Sequence, residues 1–185
     1  MLQTINNRAA AIRARRRAKG VTLLELAMYL GIAGIIAGGV MTYYSSSSNA
    51  QRVTDSLSML GSVQQTVRAI YAGSSDFTGV DAAVVANSNQ LPRKWVSGTT
   101  IKNPFNGSVL VAAANTNSRF TVSMTGLPRD ACTKLAVADL GPGVASVAAA
   151  SGASATVGAD GAFLTPVTAS TACSGAQNSI IWNFY

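Results

Sequence analysis

The sequence predicts an α+β fold in which one long N-terminal helix packs on an antiparallel β-sheet. Three observations predict it. Leu26 to Tyr44 is a run of nineteen residues without a charge, about 28 Å of helix at 1.5 Å per residue and close to the hydrocarbon thickness of a bilayer. Beyond it, Val53, Leu57, Leu60, Val67 and Tyr71 recur near a spacing of 3.5, with Gln64 breaking the series, the pattern of a helix with one buried face. Further on, the β-rich runs Ser108–Ala113 and Arg119–Met124 flank Asn115-Thr116-Asn117-Ser118, a turn composition that predicts a hairpin.

The helix follows a basic leader. Met1 to Gly20 carries Arg8, Arg13, Arg15, Arg16, Arg17 and Lys19 and no acid, six of the fourteen basic residues in a chain of 185. The other eight face seven acids, so the pI near 9.9 belongs to the leader and the rest is nearly neutral. Nucleic-acid binding is therefore not expected. The run Arg13–Lys19 instead reads as an anchor that keeps the N-terminus in the cytoplasm. A single carboxylate, Glu25, stands at the mouth of the apolar run. Unpaired at the bilayer centre it would cost roughly 2.5–3.5 kcal/mol, so a compensating partner is expected.

Lys19-Gly20-Val21-Thr22-Leu23-Leu24-Glu25-Leu26 resembles the prepilin motif of type IV pilins and pseudopilins. The long leader and Val21 are most similar to the type IVb branch, the thin-pilus pilins of conjugative plasmids and the bundle-forming type of enteric pilins. The resemblance implies the pilin fold and a structural protein, the precursor of a major pilin, rather than an enzyme. It implies cleavage between Gly20 and Val21 by a prepilin peptidase, N-methylation of Val21, and a charge pair between Glu25 and the new Val21 amine, its own at i,i+4 or a neighbour's. Unpaired charge inside a bundle of apolar helices is heavily penalised, so such pairing would set axial register. It further implies self-association into a helical homopolymer, with minor pilins, an inner-membrane assembly platform and an ATPase as partners. The precursor is expected to cross the inner membrane once, and the product to be an extracellular pilus of a Gram-negative bacterium. Attachment, aggregation and conjugative mating contact are the roles that follow.

Residues 1–20 are thus expected to be a cleaved leader, 21–48 a membrane and filament-core half-helix, and 49–185 the head, with helix from about Thr22 to Ala72. Gly31, Gly34, Gly38 and Gly39 interrupt the apolar half. Gly34-x-x-x-Gly38 is a small-xxx-small pair that lets helices approach closely in lipid. Ser45–Ser48 lowers helix propensity and is the expected place for a bend.

In the head, Asp81–Ala86 reads as a short helix, Val96–Ile101 as β, Pro128–Leu140 as a helix stopped by Gly141-Pro142, and Ser179–Tyr185 as a closing strand. Asp160-Gly161 is a hairpin-turn signal, and the Ala/Ser-rich stretch Ala145–Thr156 reads as a surface loop. Ile101-Lys102-Asn103-Pro104-Phe105-Asn106-Gly107 resembles a segment of type IVb pilins such as the bundle-forming and toxin-coregulated ones. Cys132 and Cys173 are the only cysteines. In a cell-envelope chain a single pair implies one disulfide. The resemblance gives that bridge the role of tying the C-terminal region to the body. A redox or metal role is the alternative, disfavoured by their separation and by the absence of histidine.

The lack of histidine also removes Ser-His-Asp and Cys-His nucleophiles and His-ligated metals. Gly141-Pro142-Gly143 lacks the lysine of a phosphate loop. No cofactor or metal is expected. Two other readings compete: a type II secretion pseudopilin of the same architecture, and a soluble binding domain released by signal-peptidase cleavage after Ser48-Asn49-Ala50, starting at Gln51.

Overall fold

The computed structural model describes residues 20–151, 154–157 and 163–185, with backbone alone at 154–157. The leader segment 1–19 and the expected Asp160-Gly161 turn lie outside the described residues. Helix α1 (Leu23–Ile70) is hydrogen-bonded through Ser45–Ser48, and the chain divides after Tyr44 into two units.

In the second unit, α1 buries Ser56, Met59, Leu60, Val63, Thr66 and Val67. The stripe steps by three and four, as a helix packed on one side requires. The expected register holds at Leu60 and Val67, while Val53, Leu57 and Tyr71 lie at its half-buried margin. Gln64 falls beside Val63 and leaves the core. A Cβ at Gly143 would come 2.6 Å from its Nε2 and 2.7 Å from Nη2 of Arg68, so Gln64 and Arg68 lie against a bare stretch of backbone.

The sheet has seven strands among the described residues: β1 (Val96–Ser97), β2 (Thr100–Lys102), β3 (Ser108–Ala114), β4 (Arg119–Leu127), β5 (Val144–Ser151), β6 (Ser154–Val157) and β7 (Asn178–Phe184). Their spatial order is β1-β2-β3-β4-β7-β5-β6 and every pairing is antiparallel. The core face follows from the period of two. Val111, Val122, Trp182 and Val147 pair in one row across four strands and are all buried. The next row out, through Leu110 and Ile181, is open to solvent. Phe77, Phe120 and Phe184 follow one another at centroid distances of 4.9 and 5.2 Å and bind the start of the loop region to the sheet.

The expected β3–β4 hairpin forms, and its connection holds Asn115, Thr116 and Asn117 at φ of 50, 55 and 66°. The β run at 96–101 is two short strands folded back at Gly98, whose φ is +63°. Helix α2 (Ala82–Asn87) lies where a short helix was expected.

Two expectations are corrected. The Ala/Ser stretch is not a surface loop: Ala145, Val147, Ala149 and Ala150 are buried in β5, which pairs with β7 on one side and β6 on the other. Alanine has weak β propensity, but it lets helix α3 (Arg129–Ala136) and helix α4 (Pro166–Ala172) approach this strand. Helix α3 also stops before Leu140: the Ala138 N–H closes a turn onto the Leu135 carbonyl at 3.3 Å, and beyond it the Asp139 carboxylate accepts the Gly141 N–H at 2.8 Å. The expected C-terminal strand forms as β7 and is inserted between β4 and β5. Helix α4 was not expected, although Thr165-Pro166 marks its start: Thr165 Oγ1 accepts the Thr168 N–H and proline occupies the first turn.

Candidate assembly site

Gly20 and Val21 precede α1 and are exposed. Thr22 caps the helix, its Oγ1 accepting the Glu25 N–H at 3.2 Å and its carbonyl accepting the Leu26 N–H at 3.0 Å. Thr22-x-x-Glu25 is thus the spacing of a capping box. In the uncut chain the Gly20–Val21 peptide bond leaves no amine at Val21. The Glu25 carboxylate accepts instead from the Tyr29 hydroxyl, at 3.3 Å and one turn along. Tyr29 went unnoticed in the sequence, though i,i+4 spacing from the lone acid was the available signal.

From Val21 to Tyr44 the large apolar side chains stand exposed, Leu23 at 86 % and Met41 at 77 %, and this helix is long and apolar enough to cross a membrane. Full burial of a single leucine, isoleucine or valine is worth about 1.5–3 kcal/mol, so the surface demands lipid or other helices as its cover. At 100° per residue, Gly31, Gly34 and Gly38 share a strip about 60° wide, and Gly39 lies about 80° beyond its edge. A Cβ at any of the four would meet nothing within 4 Å, so no packing inside the chain calls for glycine there. The Thr42 hydroxyl lies 3.2 and 2.9 Å from the Gly38 and Gly39 carbonyls, a back-bond that satisfies it without solvent.

In the second unit Cys132 of α3 and Cys173, which ends α4, form a disulfide with Cα atoms 5.8 Å apart. Both are fully buried. The closed loop of 41 residues carries β5, β6 and α4. Beside it Asn178, buried, donates to the carbonyls of Leu127 and Gly175 and accepts the Gly175 N–H. The segment singled out at Ile101–Gly107 is held in the same manner: Asn103 Oδ1 accepts the N–H groups of Phe105 and Gly107, and its Nδ2 donates to the Thr125 carbonyl. Asp76, after α1, has its carboxyl held below the usual carboxylate range by the Thr78 N–H and hydroxyl. Among the described residues no group of three acids, cysteines or histidines is placed to hold a metal.

Comparison with known proteins points the same way. The family model described as bundlin matches residues 45–182. The chain is 30 % identical over 174 residues to the major structural subunit of the bundle-forming pilus of Escherichia coli O127:H6, covering 87 % of this chain and 90 % of that one. It is 30 % identical over 137 residues to the toxin coregulated pilin of Vibrio cholerae, covering 69 % of this chain and 61 % of that one. Among solved structures, the crystal structure of TcpA, a type IV pilin from the Vibrio cholerae El Tor biotype, matches with a TM-score of 0.54 at 17 % identity. That match covers 73 % of this chain and 99 % of the other, a likeness of fold.

Proposed function

Because the chain belongs to the bundlin family, within the type IVb branch of the type IV pilins, we propose that it is the structural subunit of a type IVb pilus and polymerises through its N-terminal helix. The observation that carries this reading is the uncovered apolar helix from Leu23 to Tyr44, entered through a capped turn whose only carboxylate is Glu25. The precursor waits in the inner membrane with its basic leader in the cytoplasm. A prepilin peptidase cuts between Gly20 and Val21 and methylates Val21. The cut turns an exposed, neutral peptide into a cationic terminus one turn from Glu25, so the carboxylate exchanges the Tyr29 hydroxyl for a full charge, its own or a neighbouring subunit's.

An assembly platform, its ATPase and minor pilins then draw the helices out of lipid into a bundle. Gly31, Gly34, Gly38 and Gly39 allow close approach there, and a glutamate that is buried must find its amine. The heads face outward, each closed by the Cys132–Cys173 bridge. The filament serves attachment, aggregation or mating contact. The reading is supported by the family, by the fold and by a glycine strip that has no purpose within one chain.

The test is intact-mass and N-terminal analysis of the mature protein from its native host, with electron microscopy of filaments sheared from the cells. A start at N-methylated Val21 in filament material is expected. A product starting at Gln51, without the apolar helix and absent from filaments, would overturn the reading.

A further inference from the structure

The turn between β2 and β3 brings together a chemically labile dipeptide and a device that restrains it. Asn106 is exposed and is followed by Gly107. Asn-Gly is the asparagine dipeptide most prone to lose side-chain ammonia, because glycine sets no Cβ beside its own backbone nitrogen. That nitrogen gives its proton to water or hydroxide and attacks Cγ of the asparagine. A C–N bond forms, ammonia leaves, and a five-membered succinimide results. Water then opens the ring. Addition at Cγ restores the main chain with aspartate in place of asparagine. Addition at the main-chain carbonyl routes the backbone through the side chain as isoaspartate. No oxidant, metal or enzyme is required.

In this fold the nucleophile is occupied. The Gly107 N–H donates to Asn103 Oδ1 at 2.9 Å. Asn103 cannot readily turn away, being 4 % exposed. The same oxygen accepts from the Phe105 N–H at 2.9 Å, and its Nδ2 donates to the Thr125 carbonyl at 2.8 Å. The Asn106 N–H is engaged as well, donating to the Asn103 carbonyl at 3.0 Å, and Asn106 sits at φ +70°. Gly107 itself is pressed to β4, where a Cβ on Gly126 would lie 3.0 Å from its Cα. Ring closure requires the Gly107 nitrogen to lose its proton and to face Cγ of Asn106. Either movement breaks the bond to Asn103.

We infer that Asn106 is a latent deamidation site and that Asn103 keeps it unreacted by holding the Gly107 amide. The inference does not depend on the assembly reading. Its consequence is local and one-way. Reaction would place a carboxylate in the cleft lined by Asp55, Lys94, Trp95 and Lys102. The isoaspartate product would add a methylene to the main chain where Gly107 has no slack against the Thr125 carbonyl.

The experiment uses the full chain in detergent, disulfide intact, at mildly alkaline pH. The tryptic peptide Asn103–Arg119 is followed by mass spectrometry for replacement of NH2 by OH, localised by fragmentation. Asn106 in the folded chain should react at least about tenfold more slowly than in the urea-unfolded chain, as loss of roughly one hydrogen bond's free energy would give. Equal rates overturn the inference. Asn103→Ala, if it still unfolds cooperatively, should bring the folded rate to within a few-fold of the unfolded one, whereas a rate as slow as the parent's removes Asn103 from the account. Should that variant fail to fold, amide hydrogen exchange at Gly107 in the parent decides. Protection matching the slowing of deamidation is expected, and a protected amide beside a fast-reacting Asn106 overturns it.

Discussion

Gly107 and Gly126 pass so close where β3 meets β4 that a Cβ on Gly126 would lie 3.0 Å from the Gly107 Cα, while a Cβ on Gly107 would run into the Thr125 carbonyl. The obstacle is backbone on both sides, so no side chain can rotate to relieve it. Gly126 also takes φ +71° at the place where the β4–β7 register shifts. Gly107→Ala is therefore expected to destabilise the head by about 3 kcal/mol or more, at or beyond the upper end for overpacking, read as a lower denaturation midpoint at unchanged slope. A loss under about 1 kcal/mol would mean that the two strands separate more freely than this contact allows.

The Cys132–Cys173 bridge closes a loop of 41 residues. In the chain-entropy account a loop of that length contributes about 4 kcal/mol through the unfolded state. The core around it includes many small side chains, with Ala131, Ala136, Ala149, Ala169 and Ala172 all buried beside Leu135 and Leu164. Cys132→Ser should lower the thermal midpoint strongly and reduce the amount of protein recovered. Equal midpoints for oxidised and reduced heads would refute the role.

Asp76 offers a charge-based test. Its carboxyl titrates below the usual range in the folded chain because the Thr78 N–H and hydroxyl bond the ionised form. A depressed folded pKa stabilises the fold above the unfolded carboxylate pKa, and that share is lost as pH falls through the folded value. Asp76→Asn should therefore cost a small share of stability at neutral pH, where the carboxylate is ionised, and none at acid pH, where it is protonated in both states, so that a small part of the acid limb flattens. The check is a set of denaturation midpoints from neutral to acid pH, and an unaltered acid limb would count against the bond's effect on titration.

The sequence made the long helix, the β3–β4 hairpin, the short helix at Ala82–Asn87 and the cysteine pair legible, because each rests on a local signal: period, turn composition or count. It misled where tertiary pairing overrode propensity. The alanines of β5 give no strand signal, and only β7 and β6 on either flank make that stretch a strand. The central position of β7 is a matter of topology, which no local pattern encodes. At the assembly segment, Glu25 was conspicuous as the lone acid, whereas Tyr29 was hidden among apolar neighbours. Asn103 stood out in the sequence only as part of a resemblance. Its hydrogen bonds to Phe105, Gly107 and Thr125 supply the physical reason for asparagine there.

Glu25 and Tyr29 can be separated by substitution. The Tyr29 hydroxyl reaches Glu25 at 3.3 Å, and under the proposed assembly a full charge takes its place. Tyr29→Phe should therefore leave filament yield close to the parent's. Glu25→Ala should leave cleavage after Gly20 largely intact yet sharply reduce filaments, since the carboxylate proposed to meet the Val21 amine is gone. Immunoblots of leader removal and counts of sheared filaments read the two steps apart. Normal filament numbers from the Glu25 variant would sink its register-setting role.

The β3–β4 connection should be improvable, and the manner of improvement tests its geometry. Asn115, Thr116 and Asn117 all occupy positive φ. Any Cβ crowds the carbonyl there at a cost of roughly 1–2 kcal/mol; asparagine offsets it by bonding locally through its side chain, and threonine lacks that relief. Thr116 is exposed, so removing its side chain sacrifices no core packing. Thr116→Gly should raise stability by about 1 kcal/mol, less the extra freedom glycine gives the unfolded chain. Thr116→Ala keeps the Cβ and should gain little or nothing. Denaturant midpoints of the two variants settle the matter. If alanine stabilises as much as glycine, the relief comes from losing the threonine hydroxyl and methyl rather than from the left-handed backbone.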